Sequence, residues 1–364
     1  MTDIIVIGGG IAGVSAAAEC ARAGASVTVL ESEPQIGYHA TGRSAAIFIR
    51  NYGNATLRAL NAAAEPIFEQ PGEISDTPIL SPRGELMIAS EDELPVLDAY
   101  LDGALGVERL TGREAAAIVP ILRPERIAGA MIERAARGID VDLLLQGYAR
   151  MLRARAGRIV TGAAVKALRR EAGQWHVETA QGTFTAPTVV NAAGAWADDV
   201  AALAGLPRLG LQPYRRSAAI IPAPEGHETE HWPIFGSIAE TWYAKPEAGK
   251  LMVSPADEDP VDPHDAWPDD MVLAEGLHRF EQAVTHEVTR VEHSWAGLRT
   301  FAPDRTPVAG ADPRATGFFW LAGQGGYGVQ TAPALSQLSA ALLSGAAPVL
   351  DAATRAALAP DRFC

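Results

Sequence analysis

The stretch Ile4-Ile5-Val6-Ile7-Gly8-Gly9-Gly10-Ile11-Ala12-Gly13 constrains this chain more than any other. Ile4 to Ile7 is a short apolar run ending at glycine, which reads as a buried parallel strand. Ile11 to Ala23 has helical composition, with Gly24 where a C-cap is expected. Ser26 to Leu30 is a second strand, so the opening is a βαβ unit. Its turn carries the G-x-G-x-x-G spacing as Gly8, Gly10 and Gly13, with Ile11 and Ala12 between the last two. That pattern is weak alone and informative between a strand and a helix. Gly8 permits the tight turn, Gly10 lets backbone approach a pyrophosphate, and Gly13 lets helix and strand pack closely. The helix N-terminus offers free N–H groups and a positive dipole end. Glu31 ends the second strand, followed by Ser32. A carboxylate there accepts hydrogen bonds from ribose hydroxyls and repels a 2′-phosphate, which favours FAD or NAD over NADP.

The chain has 364 residues, enough for about two domains. Its formal charge of −14 argues against non-specific binding to nucleic acid or anionic membrane. Cys20 and Cys364 have no metal or disulfide spacing, which fits a reducing cytosol. No signal peptide or spanning apolar run is visible, so a cytoplasmic protein without a transmembrane segment is expected. Short strand candidates at Ile79–Ala89, Ile127–Ile132, Arg216–Ile221 and Thr241–Ala244 suggest an antiparallel sheet. Val141–Arg155 reads as a helix after the cap Asp140. Nucleotide-fold signals return at Thr188–Val190 and at Phe318–Leu321, and Ala332–Leu343 reads as a helix. The expected fold is α/β. A Rossmann-type FAD-binding domain (1–78, 138–210 and 301–364) combines with a discontinuous α+β substrate domain on an antiparallel sheet (79–137 and 211–300). The acidic, Pro-rich stretch Asp257–Asp270 reads as a long exposed, solvated loop rather than a metal site, and no metal is expected.

The polar segment Gly37–Ala46 and the glycine cluster Gly323–Gly328 favour FAD over NAD, and six segments together carry a wider likeness. These are Gly37-Tyr38-His39-Ala40-Thr41-Gly42-Arg43-Ser44-Ala45-Ala46, Leu80-Ser81-Pro82-Arg83-Gly84-Glu85 and Asn191-Ala192-Ala193-Gly194-Ala195-Trp196. Leu209–Pro213 with Arg215–Ala218, Trp295–Arg299 and Gln324-Gly325-Gly326-Tyr327-Gly328 complete the set. The last segment, at a helix N-terminus, reads as a phosphate turn, a plain loop, or a source of N–H groups for the flavin carbonyl. With these segments in this order the chain resembles the glycine/D-amino-acid oxidase family of FAD-dependent amine-oxidising enzymes. Within that family it is most similar to the bacterial dehydrogenases of D-arginine. The resemblance covers nearly the whole chain. It implies cofactor contacts at Arg43, Ser44, Ala45, Ala46, Val165, Ala193, Gly194, Trp196, Gly323, Gly325, Gly326, Tyr327, Gly328, Val329 and Gln330.

On residue chemistry alone, Arg216 and Arg299 are either ligand contacts or members of internal salt bridges. The resemblance implies that both clamp a substrate carboxylate, that Tyr52 and Tyr243 line the active site, and that the Gly326 carbonyl approaches the amine. It implies that Glu85 faces a cationic side chain; a surface salt bridge is the alternative. Asn51–Asn54 reads as a mobile lid. Ile47 and Ile49 stand where the resembled enzymes have a histidine and a threonine, so a more apolar pocket is expected. Arg50 would repel cationic substrates or pair with Glu85. The implied reaction is oxidative deamination of D-amino acids, by hydride transfer to flavin, to imino and 2-oxo acids, with basic or large apolar side chains favoured. The alternatives are a secondary-amine (sarcosine-like) oxidase or demethylase of the same fold, and a non-catalytic flavin-binding subunit. Leu251 or Met252, rather than Lys245 or Lys250, is expected to face the flavin. That implies a dehydrogenase with a quinone or carrier as electron acceptor.

Overall fold

The computed structural model describes residues 2–363, so Cys364 lies outside the described residues. The N-terminal strand Ile4–Ile7 is apolar at every position because it is covered on both sides. Ile4 and Val6 join a core with the helices Ile11–Arg22, Val141–Arg153 and Gly328–Ser344. Ile5 and Ile7 point to the opposite core. There the antiparallel strands Val165–Glu171, Gln174–Thr179 and Gly182–Ala186 contribute Leu168, Trp175 and Val177. The six-stranded sheet runs in the order Val308–Ala311, Phe318–Ala322, Thr188–Asn191, Ile4–Ile7, Val27–Leu30, Arg158–Val160. All its pairs are parallel except the first.

The helix expected from Ala332 starts four residues earlier, at Gly328. Its first turn is closed by Thr331, whose N–H and hydroxyl both donate to the Tyr327 carbonyl. The helix N-terminus therefore falls on the glycine cluster itself.

A nine-stranded sheet forms the second layer, in the order Asp259–Pro260, Gln212–Pro222, Lys250–Ser254, Tyr243–Glu247, Ile234–Ser237, Glu85–Ala89, Gly129–Glu133, Val107–Leu110. His293–Phe301 pairs along Gln212–Pro222. Strand alternation divides its two faces. Leu86, Ile88, Ile221, Ala244, Leu251 and Val253 enter a core with Phe280 of the helix Asp270–Ala283. Their neighbours Glu85, Met87, Tyr243 and Met252 line cavities on the other face.

One expectation is corrected and one is refined. The sheet is mixed rather than antiparallel throughout: Ile234–Ser237 runs parallel to Glu85–Ala89, because the chain reaches it from a distant strand and not through a hairpin. Asp257–Asp270 is largely exposed, as expected, but it is anchored rather than free. The Asp257 carboxylate accepts from Ser217 N at 2.6 Å and Ser217 Oγ at 2.8 Å, and pairs with Arg215. Arg43 holds the Asp265 carboxylate and the Ala266 carbonyl, and Ala266 is buried. These bonds strap the segment across the edge of the main cavity, which His264 and Ala266 help to line.

Candidate active site

Between the sheets lies a cavity of about 520 Å³, running from the Glu31 end of the nucleotide turn to Arg299 and Gly326. The glycines that shape it are fixed by close approach. Gly8 has φ +112°, and a Cβ there would lie 2.3 Å from the Ala192 carbonyl oxygen. A Cβ at Gly13 would lie 2.0 Å from the Gly8 carbonyl oxygen, so the helix rests directly on the turn. Gly10 is the extended N-cap of that helix. Of the residues expected along the cofactor, Gly8, Gly10, Ile11, Ala12, Glu31, Ser32, Arg43, Ser44, Ala45, Val165, Ala193, Gly194, Trp196, Gly325, Gly326, Gly328 and Val329 line this cavity.

Others serve differently. Gly13 and Gly323 shape turns behind the wall, and Tyr327 packs on Tyr52 with ring centroids 4.7 Å apart. Ala46 and Gln330 line the smaller neighbouring cavity. Gln330 accepts from Ile49 N and donates to Asn61, tying the helix Gly328–Ser344 to the 49–61 segment. Arg43 touches the wall while its guanidinium is committed to the strap.

The residues fit FAD. The nucleotide turn provides a cradle that side chains would fill, and Glu31 stands at its ribose end. The buried Nε2 of Gln324, on the wall, has no protein partner. Glu31 accepts from Gly9 N at 2.6 Å and Glu33 N at 2.8 Å, which fixes its carboxylate beside the turn.

A second cavity of about 100 Å³ adjoins the first. Arg216, Arg299, Tyr243, Gly326, Ser44, Ala45 and Val329 line both, so the two arginines stand at the junction. Among the described residues neither guanidinium has a hydrogen-bonded acid. The buried Arg216 Nε has no partner, and the nearest carboxylate to Arg216, that of Glu258, is 3.9 Å away. A Cβ at Gly326 would lie 3.0 Å from Arg299 Nη1 and press on the guanidinium, so glycine gives it the most room. Burial opposes the Arg299 charge, but the oxygens of Tyr52, Tyr243 and Glu240 around it prevail and hold its pKa above the ordinary arginine value. Buried guanidiniums without an anion call for one.

Away from the junction the small cavity is lined by Ile47, Ile49, Met87, Ile234 and Trp242, with Glu85, Glu240 and Tyr52. Burial pushes the Glu85 carboxyl up to about 8, helped by the charge of Glu133; Tyr100, donating at 3.3 Å, works the other way. Glu133 stands directly across the strand pair from Glu85. Arg50 turns away to Glu65 at 3.6 Å and neither pairs with Glu85 nor lines the cavity. The Asn51–Asn54 stretch, expected as a mobile lid, is tied down. Asn51 bonds Glu133 and both backbone groups of Leu105, and Asn61 donates to the carbonyls of Ile49, Arg50 and Tyr52. Glu240, Trp242, Gln324 and Asp199 are wall residues that sequence reasoning missed. Glu240 carries a left-handed backbone (φ +52°), which nothing local in the sequence signals.

Three comparisons bear on this arrangement. A family model described as FAD dependent oxidoreductase (DAO) matches residues 3–342. The glycine oxidase of Geobacillus kaustophilus is 26% identical, over 96% of this chain and 95% of that protein. Its crystal structure superposes with a TM-score of 0.83, covering 97% of each chain at 25% identity. The Bos taurus FAD-dependent oxidoreductase domain-containing protein 1 is 23% identical, over 94% of this chain and 81% of that protein. The L-proline dehydrogenase structure from P. horikoshii has the same fold, with a TM-score of 0.85 at 22% identity, covering 100% of this chain and 97% of that one. A nucleotide turn, a cavity long enough to join it to two arginines with no hydrogen-bonded acid among the described residues, and a family match over nearly the whole chain have one common meaning: the protein belongs to the DAO family of FAD-dependent oxidoreductases.

Proposed function

We propose that the protein is a D-amino-acid dehydrogenase, converting its substrate to an imino acid that water hydrolyses to a 2-oxo acid and ammonia. The observation that carries this reading is the Arg216–Arg299 pair, with no hydrogen-bonded carboxylate among the described residues, at the junction of a cofactor cavity and a side-chain pocket. Arg216 and Arg299 hold the carboxylate, and Tyr52 and Tyr243 close the space beside it. The Gly326 carbonyl receives a hydrogen bond from the amine, which reacts in its neutral form. FAD, when bound, accepts the hydride from the α-carbon. The protein supplies positioning and electrostatics. Preference for the D configuration follows from the resemblance of Tyr52, Glu85, Arg216, Tyr243 and Arg299 to the D-arginine-oxidising enzymes. Anaerobic mixing of the FAD-loaded protein with paired D- and L-amino acids tests it: bleaching of the flavin by D enantiomers is expected, and bleaching by L enantiomers alone would overturn the reading.

The small pocket supports substrates with long side chains, apolar along Ile47, Ile49 and Met87 and cationic at the tip near Glu85. Glu85, with its carboxyl pushed up to about 8, is mostly protonated at neutral pH in the empty pocket. Only the ionised form attracts a cation, and its share grows as pH rises through that value. The ratio of kcat/KM for D-arginine to that for D-leucine is therefore expected to rise with pH through about 8. Taking the ratio cancels the amine deprotonation that both substrates need. Glu85→Gln should flatten this step and leave D-leucine nearly unchanged. An equal loss for both substrates would make Glu85 a support of the fold.

FAD is expected to be tight but non-covalent. Cys20 is buried in the first helix, its thiol pushed up to about 12 by burial, and far from thiolate chemistry. His39 lines the cavity, but its Nε2 lies 3.0 Å from Glu33. Acid precipitation should leave all yellow colour in the supernatant; a yellow pellet would point to His39.

A further inference from the structure

Arg305 lies outside both cavities, yet a shared carboxylate connects it to Arg216. Its Nη2 is 2.6 Å from Glu258 Oε1, and that same oxygen is the one 3.9 Å from Arg216 Nη2. Its guanidinium is stacked 3.9 Å over the ring of Phe301 and also faces Tyr214. Its backbone is left-handed (φ +58°), a conformation costly for a residue with a Cβ and maintained only where surrounding contacts impose it. Glu258 follows Asp257, which is locked to Ser217 and Arg215, so the backbone beside Arg216 is fixed and the Glu258 side chain alone chooses between two arginines.

The pull on Glu258 is unequal. Arg305 meets it at hydrogen-bond distance, whereas Arg216 is beyond it. A Glu258 carboxylate drawn about 1 Å closer would hydrogen-bond the Arg216 guanidinium and compete for the donors a substrate carboxylate needs. We infer that Glu258 is a built-in competitor for the carboxylate clamp, and that Arg305 is a positioning residue that keeps Arg216 free by holding Glu258 back. This rests on the reading of Arg216 as a carboxylate ligand. Arg305 does not touch the substrate; it acts through Glu258.

The test is a double-mutant cycle on the FAD-loaded protein, with butyrate as a plain carboxylate probe and butyramide as its uncharged control. Binding is followed by perturbation of the flavin absorption. Arg305→Met should weaken butyrate binding about three- to tenfold, in the range of one partly exposed ion pair, and leave butyramide unaffected. Glu258→Gln should bind butyrate as tightly as wild type or more tightly. The double variant should match Glu258→Gln, because with no competitor there is nothing for Arg305 to hold. In turnover the same pattern is expected in KM, with kcat at saturation nearly unchanged. The inference is overturned if the Arg305→Met defect persists in the double variant, which would make Arg305 a packing residue on Phe301 and Tyr214. Weaker butyrate binding in Glu258→Gln would overturn it too, making Glu258 a support of Arg216. Arg216→Met separates the two levels: undiminished butyrate binding there brings down the clamp and the inference together, whereas its loss leaves the clamp standing whatever the cycle shows.

Discussion

Arg299→Met is expected to lower kcat/KM for D-amino acids by about 3–5 kcal/mol, roughly 150- to 5000-fold, with FAD content unchanged. The magnitude follows from the surroundings. Arg299 is enclosed by Tyr52, Tyr243, Tyr327 and Gly326, and no protein carboxylate is bonded to it among the described residues. A substrate carboxylate brought there loses its water and regains hydrogen bonds only from the two guanidiniums. Methionine fills similar volume and offers no donor, so the carboxylate is left desolvated beside Arg216 alone. The loss should fall on both KM and kcat, because a substrate held at one point no longer presents its α-hydrogen in a fixed direction. Flavin content serves as the internal control, since the cofactor turn is at the other end of the cavity. Wild-type efficiency in this variant would make Arg299 a structural residue and move the site elsewhere.

Local chemistry made the nucleotide half legible. A glycine turn between a strand and a helix is written in consecutive residues, and Ile4–Ile7 had to be covered on both faces because no position in it is polar. Arg216 and Arg299 were also readable as charges set in strands, but their availability was not. That depends on Asp257 and Glu258 being engaged by Arg215 and Arg305, residues brought together only by the strap. The anchoring of the strap was not readable, because its acidic, Pro-rich composition is that of a solvated loop. What composition cannot show is that Asp265 has Arg43 as a partner more than 200 residues away in sequence. The Asn51–Asn54 stretch was misjudged in the same way: its Asn and Gly residues suggest a mobile turn, yet Glu133 and Asn61 supply long-range anchors. Glu240 was invisible because its place at the pocket comes from a left-handed turn between two strands.

Reduced enzyme is expected to persist in air-saturated buffer and to be reoxidised rapidly by a quinone or phenazine dye. Fast reaction of reduced flavin with oxygen benefits from a positive charge beside the ring, and loss of such a charge costs on the order of 10²–10³-fold by analogy with other preorganised electrostatic sites. In this sheet Met252 lines the cavity, while Leu251 enters the core on the opposite face. Lys250 is at the exposed strand end, paired with Glu292, and is removed from consideration. Lys245 is the nearer cation: it stands across the strand pair from Met252, on the same face as Tyr243, and is mostly buried. Its Nζ is 2.7 Å from Glu247, however, and it is not part of the cavity wall. Arg216 and Arg299 do reach the wall, but a bound substrate or product carboxylate neutralises them. The oxygen-facing side of the ring is thus expected to see a thioether instead of a cation. Stopped-flow mixing of substrate-reduced enzyme with oxygen, in the presence and absence of excess 2-oxo acid, measures this directly. Prompt reoxidation with stoichiometric hydrogen peroxide in both conditions would make the protein an oxidase, and Lys245→Met would then be the variant expected to slow it; prompt reoxidation only without 2-oxo acid would assign the effect to the arginine pair.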